Sequence, residues 1–276
     1  MVNITAAEVN KLRQMTGAGM MDCKKALEEA NGDHEQAIDI LRKKGQKVAS
    51  KRADKEAKEG IVIAKTSADN KFAAVLMLNC ETDFVAKNAE FIAFAKTALD
   101  LALSHKPKTA DELKNLEWNG RKVMDGVTDL IGKTGEKMDL SKYGCVEAAR
   151  TFAYNHQGNK LATIVGLSKD TGSDETGHQL AMQVAAMSPV AVDQADVPQE
   201  VIKKEIEIGM DQAREEGKPE NMLEKIAQGK LNKFYKENTL LNQDFIRDNK
   251  LTVGQYIKQV DADLKVVGFR RLMLGA

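Results

Sequence analysis

Few side chains in this sequence could carry covalent chemistry, and none stands in a pattern that would let it. His34, His105, His156 and His178 are scattered without metal-ligand spacing. Cys23, Cys80 and Cys145 are far apart and odd in number, with no C-x-x-C pair, so neither a disulfide framework nor a zinc site is indicated. Free thiols fit a reducing compartment. Cys80 stands beside Glu81 and Asp83, whose negative charge raises a thiol pKa and disfavours a nucleophile. No G-x-S-x-G elbow is present. Two glycine loops imitate nucleotide sites but fail on context. Gly17-Ala18-Gly19 follows no strand and has Asp22 where a dinucleotide loop needs its third glycine. Gly132-Lys133-Thr134 resembles the end of a phosphate loop, but five residues separate it from Gly126 where four are needed, and no strand precedes it. No catalytic residue, metal or cofactor is expected. What remains is a binding protein with several separated contact modules.

The stretch best suited to contact is Asn79-Cys80-Glu81-Thr82-Asp83-Phe84-Val85-Ala86. Before it runs the short apolar segment Phe72–Leu78, rich in strand formers. After it, Phe91, Ile92, Phe94, Ala95, Ala98 and Leu99 recur at helical spacing. The stretch is therefore a strand-to-helix corner, with Thr82 or Asp83 as the cap that accepts unpaired N–H groups of the first turn. Phe84 then lies in or beside that turn, where its ring either folds back into the core or is offered to a partner. A repeat bears on the choice. Asn70-Lys-Phe-Ala-Ala-Val-Leu-Met-Leu-Asn79 lines up with Asn159-Lys-Leu-Ala-Thr-Ile-Val-Gly-Leu-Ser168, and each leads to a helix, the second over His178–Ala186. The second corner, Lys169–Glu175, has no aromatic residue. A core role for Phe84 would be expected in both copies, so its absence from the second favours a role specific to the first.

The rest of the chain supplies the frame. The 276 residues suffice for one large or two modest domains, and 41 basic against 41 acidic residues argue against whole-protein attraction to nucleic acid or anionic membrane. No apolar run approaches 18 residues, and Met1-Val-Asn-Ile-Thr5 lacks a basic segment followed by an apolar core. A cytoplasmic protein without leader or membrane span is expected. Residues 1–45 read as three short helices: one opened by the capping box Thr5–Glu8, one carrying Met21, Ala26 and Leu27, and one from Asp33 to near Gly45. Adjacent helical residues point about 100° apart, so Met20 and Met21 cannot both face a small core, and one is expected to be exposed toward a partner. Residues 46–60 form a charged linker, partly helical. Residues 61–139 form a first core unit: strands Ile61–Lys65 and Phe72–Leu78, the corner, a helix closed by Lys106-Pro107, and a helical then loop-like stretch over 111–138. Residues 140–197 and 239–276 form a second unit, ending in a helix over Val253–Val260 and a strand over Leu264–Phe269. Inserted at 198–238 is an antiparallel coiled-coil hairpin broken at Gly217-Lys218-Pro219. The fold class is α+β with antiparallel sheets.

Two long segments carry a family resemblance. Leu12-Arg-Gln-Met-Thr-Gly-Ala-Gly-Met-Met-Asp-Cys-Lys-Lys-Ala-Leu27 resembles the first signature of elongation factor Ts, and Asn79–Ala86 resembles its second. The order of modules agrees over nearly the whole chain, with the N-terminal helices resembling a ubiquitin-associated module. The resemblance implies guanine-nucleotide exchange on the GTPase elongation factor Tu, with no covalent chemistry and no nucleotide bound by this chain. Asp83 and Phe84, flanked by Thr82 and Val85, match the pair that wedges into the partner's nucleotide domain near its magnesium site. Arg13, Met20 and Met21 match contacts of the N-terminal module with the same domain, and Gly135 and His156 match contacts of the core. Thr134 stands where the well-known bacterial form has an isoleucine, so the apolar side chain is missing there. The coiled coil and second unit would face another partner domain, and the arm could support a higher-order complex. Longer bacterial members continue into a C-terminal helical module, whereas this sequence ends at Ala276, so no contact of that module is carried over. Two other readings use different features: an RNA- or ribosome-binding accessory protein acting through the linker lysines and coiled coil, and a scaffold that oligomerises through the arm.

Overall fold

In the computed structural model, which describes residues 4–275, helix starts follow local capping chemistry. Thr5 opens α1 (Ala6–Thr16): its hydroxyl oxygen accepts the Glu8 amide, and the Glu8 carboxylate accepts the Thr5 amide at 2.7 Å. Gly17 ends the helix in the left-handed conformation, φ 66°. Next come α2 (Met20–Glu29) and α3 (His34–Lys51), the latter capped by Asp33, which accepts the Gln36 amide at 3.0 Å. Leu12, Cys23, Leu27 and Ala37 form the fully buried centre of this module. Residues 1–3 of the expected module lie outside the described residues, as does Ala276.

The first sheet opens with β1 (Glu59–Thr66) and β2 (Phe72–Cys80). After the corner come α4 (Asp83–Ala86), α5 (Ala89–His105) and α6 (Ala110–Asn115). The stretch expected as helical and then loop-like over 111–138 contains a small hairpin, β3 (Glu117–Trp118) and β4 (Arg121–Lys122). Its turn is Asn119-Gly120, both at positive φ, the pair that a two-residue hairpin turn favours. Helix α7 (Val123–Thr134) follows, and with it comes the reason that α3 does not stop near Gly45, as the sequence suggested. The two helices cross there almost backbone to backbone: a Cβ at position 45 would lie 2.8 Å from the Thr128 carbonyl oxygen. The glycine serves close approach rather than termination, and α3 runs on into the stretch expected as linker.

Strand β5 (Asp139–Glu147) pairs with β2, giving the antiparallel order β1-β2-β5. Sequence reading assigned residues 140–147 to the second unit, but strand pairing makes them the third strand of the first sheet. The second sheet is built from β6 (Arg150–Asn155), β7 (Leu161–Leu167) and a C-terminal strand described below. The two hairpins repeat one another bond for bond. Ser67 N donates to Phe72 O and Asn70 N to Ser67 O; His156 N donates to Leu161 O and Asn159 N to His156 O. Asn70 and Asn159 share φ 53°. The sheets pack face to face through Val62, Ala73, Val75 and Met77 against Ala162 and Ile164. Helices α5 and α7 cover the outer face of the first sheet. Strand β2 is therefore buried at every residue, which explains its unbroken apolar run.

Helix α8 (Asp174–Met187) covers the second sheet, starting ahead of the expected His178 because Ser173 caps it. The arm consists of α9 (Gln199–Glu215) and α10 (Glu220–Asn238). Gly209, Ala213, Leu223, Ala227 and Leu231 are its buried seam, while Val201, Ile202, Ile206 and Met210 are only half-buried. The arm's base is zipped by Val190 N to Asn238 O and Leu240 N to Ala191 O. The chain ends with β8 (Asp244–Phe245), β9 (Asp248–Thr252), α11 (Val253–Val260) and β10 (Val266–Met273), the last pairing with β7.

Candidate functional site

The corner after β2 is not one capped helix but two. Thr82 is extended, and its hydroxyl oxygen accepts the Val85 amide at 3.4 Å, so Thr82 rather than Asp83 is the cap of α4. The chain then re-caps at Asn88, whose side chain accepts the Glu90 amide at 2.8 Å to start α5. Dividing the helix leaves a single turn with two sides. Ala86 is buried and Val85 packs against the core. Asp83 and Lys87 pair at 2.6 Å on the outside, and that bond holds the Asp83 carboxyl below its usual range. Between them Phe84 is 83% exposed. An exposed phenyl forgoes about 1.5–3 kcal/mol of burial, so the turn beneath it must be held.

The hold comes from Glu136, just beyond α7. Its Oε2 accepts the Glu81 and Thr82 amides at 3.2 and 3.0 Å, and its Oε1 accepts the Thr82 hydroxyl at 2.6 Å. Glu81 is taken up by Arg52 at 2.6 and 2.7 Å and by the Lys137 amide at 2.5 Å. The Arg52 guanidinium, with help from that amide, lowers the Glu81 pKa to about 2. Cys80, just before the corner, is buried, and burial first, then Glu136 and Glu59, push its thiol up to about 12. It stays protonated, as expected, although burial outweighs the neighbouring charges.

Several of the residues singled out from sequence sit on elements that touch the corner or α7. Thr134 and Gly135 end α7 two residues before Glu136, and Gly135 adopts φ 76° as the cap. Lys133 reaches Glu90 at the start of α5 and lies directly under Gly17, so the α1–α2 turn rests on α7. From that turn project Met20 and Met21, 53% and 63% exposed; both are free of the core, where only one was expected to be. Arg13 and Met15 are also exposed. On the other side of the corner, Asp83, Ala86 and Lys87 share a cleft with Gly158, Asn159 and Lys160 of the β6–β7 turn. His156 opens that turn, exposed, with Nδ1 2.9 Å from the Tyr154 hydroxyl.

Arg52, Glu136 and Lys137 were missed from sequence. The one available signal was Glu81, a carboxylate next to a buried strand that needs a cation or amides. Which of the many lysines and arginines would answer it was not readable. Neither of the two loops that imitate nucleotide sites directly follows a strand. Gly132-Lys133-Thr134 sits at the carbonyl end of α7, and Gly17-Ala18-Gly19 joins two helices. Among the described residues, no group of His, Cys, Asp or Glu is arranged to hold a metal ion, and no helix is long and apolar enough to cross a membrane.

The protein is α+β, and its corner and N-terminal module present exposed apolar side chains at Phe84, Met20 and Met21. Residues 81–276 match the family model described as Elongation factor TS. Over 276 residues the chain is 52% identical to "Elongation factor Ts" of Christiangramia forsetii, covering 100% of both sequences. It is 51% identical to the protein of that name from Amoebophilus asiaticus over 275 residues, 99% of each. It is 49% identical to that of Flavobacterium psychrophilum over 276 residues, 100% of each. The chain belongs to the elongation factor Ts family, among the elongation factors of protein biosynthesis.

Proposed function

We propose that this protein promotes release of GDP from elongation factor Tu in the cytoplasm, by inserting Phe84 with Asp83 into the partner's nucleotide domain and disturbing its magnesium and nucleotide site. The observation that carries the reading is a phenyl ring 83% exposed on a one-turn helix whose start is tied down by a carboxylate. Such a ring, presented rather than buried, suits a pocket on another protein. In this reading Met20, Met21 and Arg13 bind the same domain from the N-terminal module, while Thr134, Gly135 and His156 border the wedge. The chain binds no nucleotide itself, and the arm with the second unit faces another part of the partner.

No bond is made or broken. The factor binds the nucleotide-free partner more tightly, and by reciprocity bound nucleotide weakens the factor to the same extent. Each tenfold loss of nucleotide affinity needs about 1.4 kcal/mol of differential binding. Burial of one phenylalanine, worth about 1.5–3 kcal/mol, accounts for roughly one to two decades. Binding energy from the module and arm must supply the rest. The test is the rate at which labelled GDP leaves elongation factor Tu with and without this protein. Acceleration is expected, and no acceleration by the full chain at saturating concentration rejects the reading.

A further inference from the structure

The hydrogen bonds at the corner form two struts that cross. In one, Glu136 accepts from the backbone of Glu81 and Thr82. In the other, Glu81 accepts from the backbone of Lys137. Each carboxylate thus takes up an amide of the segment that carries the other. A carboxylate can only accept, so Glu136 obliges the Thr82 hydroxyl to donate to it. That leaves the hydroxyl lone pairs facing the Val85 amide, which is the cap that starts α4. A four-residue helix cannot sustain itself, because nucleation costs more than one turn returns, so the direction of Phe84 depends on this cap.

Both struts are anchored outside the corner. Thr134 donates its hydroxyl to Leu130 O at 2.9 Å and accepts the Glu136 amide at 3.2 Å, fixing Glu136 to the end of α7. Arg52 is the residue that closes α3, and its two-pronged bond to Glu81 joins the last turn of that helix to the corner. Lys137 adds bonds from Nζ to the carbonyls of Ala53 and Lys55, at 2.5 and 2.9 Å.

We infer that Glu136, anchored by Thr134, and the Arg52–Glu81 pair are positioning residues for nucleotide exchange, holding Phe84 outward and tying its presentation to the helix that comes from the N-terminal module. The inference rests on the exchange reading above. It also gives the Thr134 hydroxyl a role, as the acceptor of the Glu136 amide.

The test is a double-mutant cycle in the full chain, read by labelled GDP release from elongation factor Tu across a range of factor concentrations. Glu136→Ala should lower the maximal rate at least about tenfold, since it removes three charge-assisted hydrogen bonds to Glu81 and Thr82 and one alone is worth about that factor. The half-saturating concentration should change little, because the Met20 and Met21 surface is intact. Amide hydrogen exchange at Thr82 and Val85 should speed up, and Glu136→Gln, which keeps an acceptor oxygen, should recover most of the rate. In a Phe84→Ala background, Glu136→Ala should have no further effect. A full rate for Glu136→Ala overturns the inference. So does an additive loss in the Phe84→Ala background, which would mean that Glu136 acts by another route. Should Glu136→Ala fail to fold, Thr134→Val and Arg52→Met take its place under the same criteria. If Phe84→Ala alone releases GDP at the unmodified rate, the wedge reading falls, and the inference with it. If Phe84→Ala is slow and Glu136→Ala is not, only the inference falls.

Discussion

The two strand-to-helix corners of the repeated units started from the same hairpin and solved different problems. At the second corner, Ser168 pairs with the Lys265 backbone, Lys169 lies between Asp261 and Asp263, and Arg150 meets Asp174 at 2.6 Å. These ties are largely between exposed side chains. The helix there starts at once under Ser173, and Gly177 lets it settle onto the buried ring of Phe152. At the first corner the helix is broken, the aromatic faces outward, and the ties run from carboxylates to backbone amides. An aromatic inside the core is held by packing. One outside it must be held by the backbone beneath it, and at the first corner Glu136, more than fifty residues along the chain, supplies that hold.

That contrast can be broken most directly at the rings. Phe84→Ala should slow stimulated GDP release by roughly one to two decades, from the burial worth of a phenyl group. Its urea unfolding midpoint should stay put, as surface substitutions usually change stability by less than about 0.5 kcal/mol. Loss of cooperative unfolding instead would make Phe84 a core residue and erase the difference between the corners. The mirror experiment is Gly177→Ala, whose methyl would meet the Phe152 ring. It should cost about 1–3 kcal/mol in urea unfolding, as overpacking does, with exchange at saturating factor unchanged.

Changing Met20 and Met21 together to Ala tests whether the first corner works with the N-terminal module. Complex formation with elongation factor Tu, measured by calorimetry, should weaken about tenfold at unchanged helicity, a modest hot-spot loss. Unchanged affinity would detach those residues from the contact surface. The restraint itself should show in acid. Glu81 has its pKa lowered in the folded state to about 2, from 4.5, chiefly by Arg52. The bond therefore contributes fully above pH 4.5 and is lost as pH falls toward 2. Glu81→Gln should flatten the fall in urea midpoint over that window, and an unchanged acid limb would deny the pair a part in stability. The smallest effect belongs to the second corner. Lys169→Ala breaks exposed pairs and should alter stability by less than about 0.5 kcal/mol, with no effect on GDP release. A larger loss would mean that both corners carry structural restraint.

The corner was legible as a corner because its signals are local. An apolar strand, a capping hydroxyl and a helical period all lie within a few neighbouring residues, and the missing aromatic in the second copy singled out Phe84. The capping box at Thr5, the arm's break at Gly217 and the helix over Val253–Val260 were readable for the same reason. Local signals failed where a neighbour in space overruled them. Gly45 reads as a stop until α7 crosses it, and residues 140–147 read as the second unit until β5 pairs with β2. The sequence by itself determined that Thr82-Asp83-Phe84 would sit at a turn between a strand and a helix. Only the tertiary structure decided that the ring points outward, because the carboxylate that sets the turn comes from Glu136, 54 residues beyond Thr82. Spacing along the chain reports a helix turn or a strand alternation; it holds no record of which distant side chain will meet an unpaired amide.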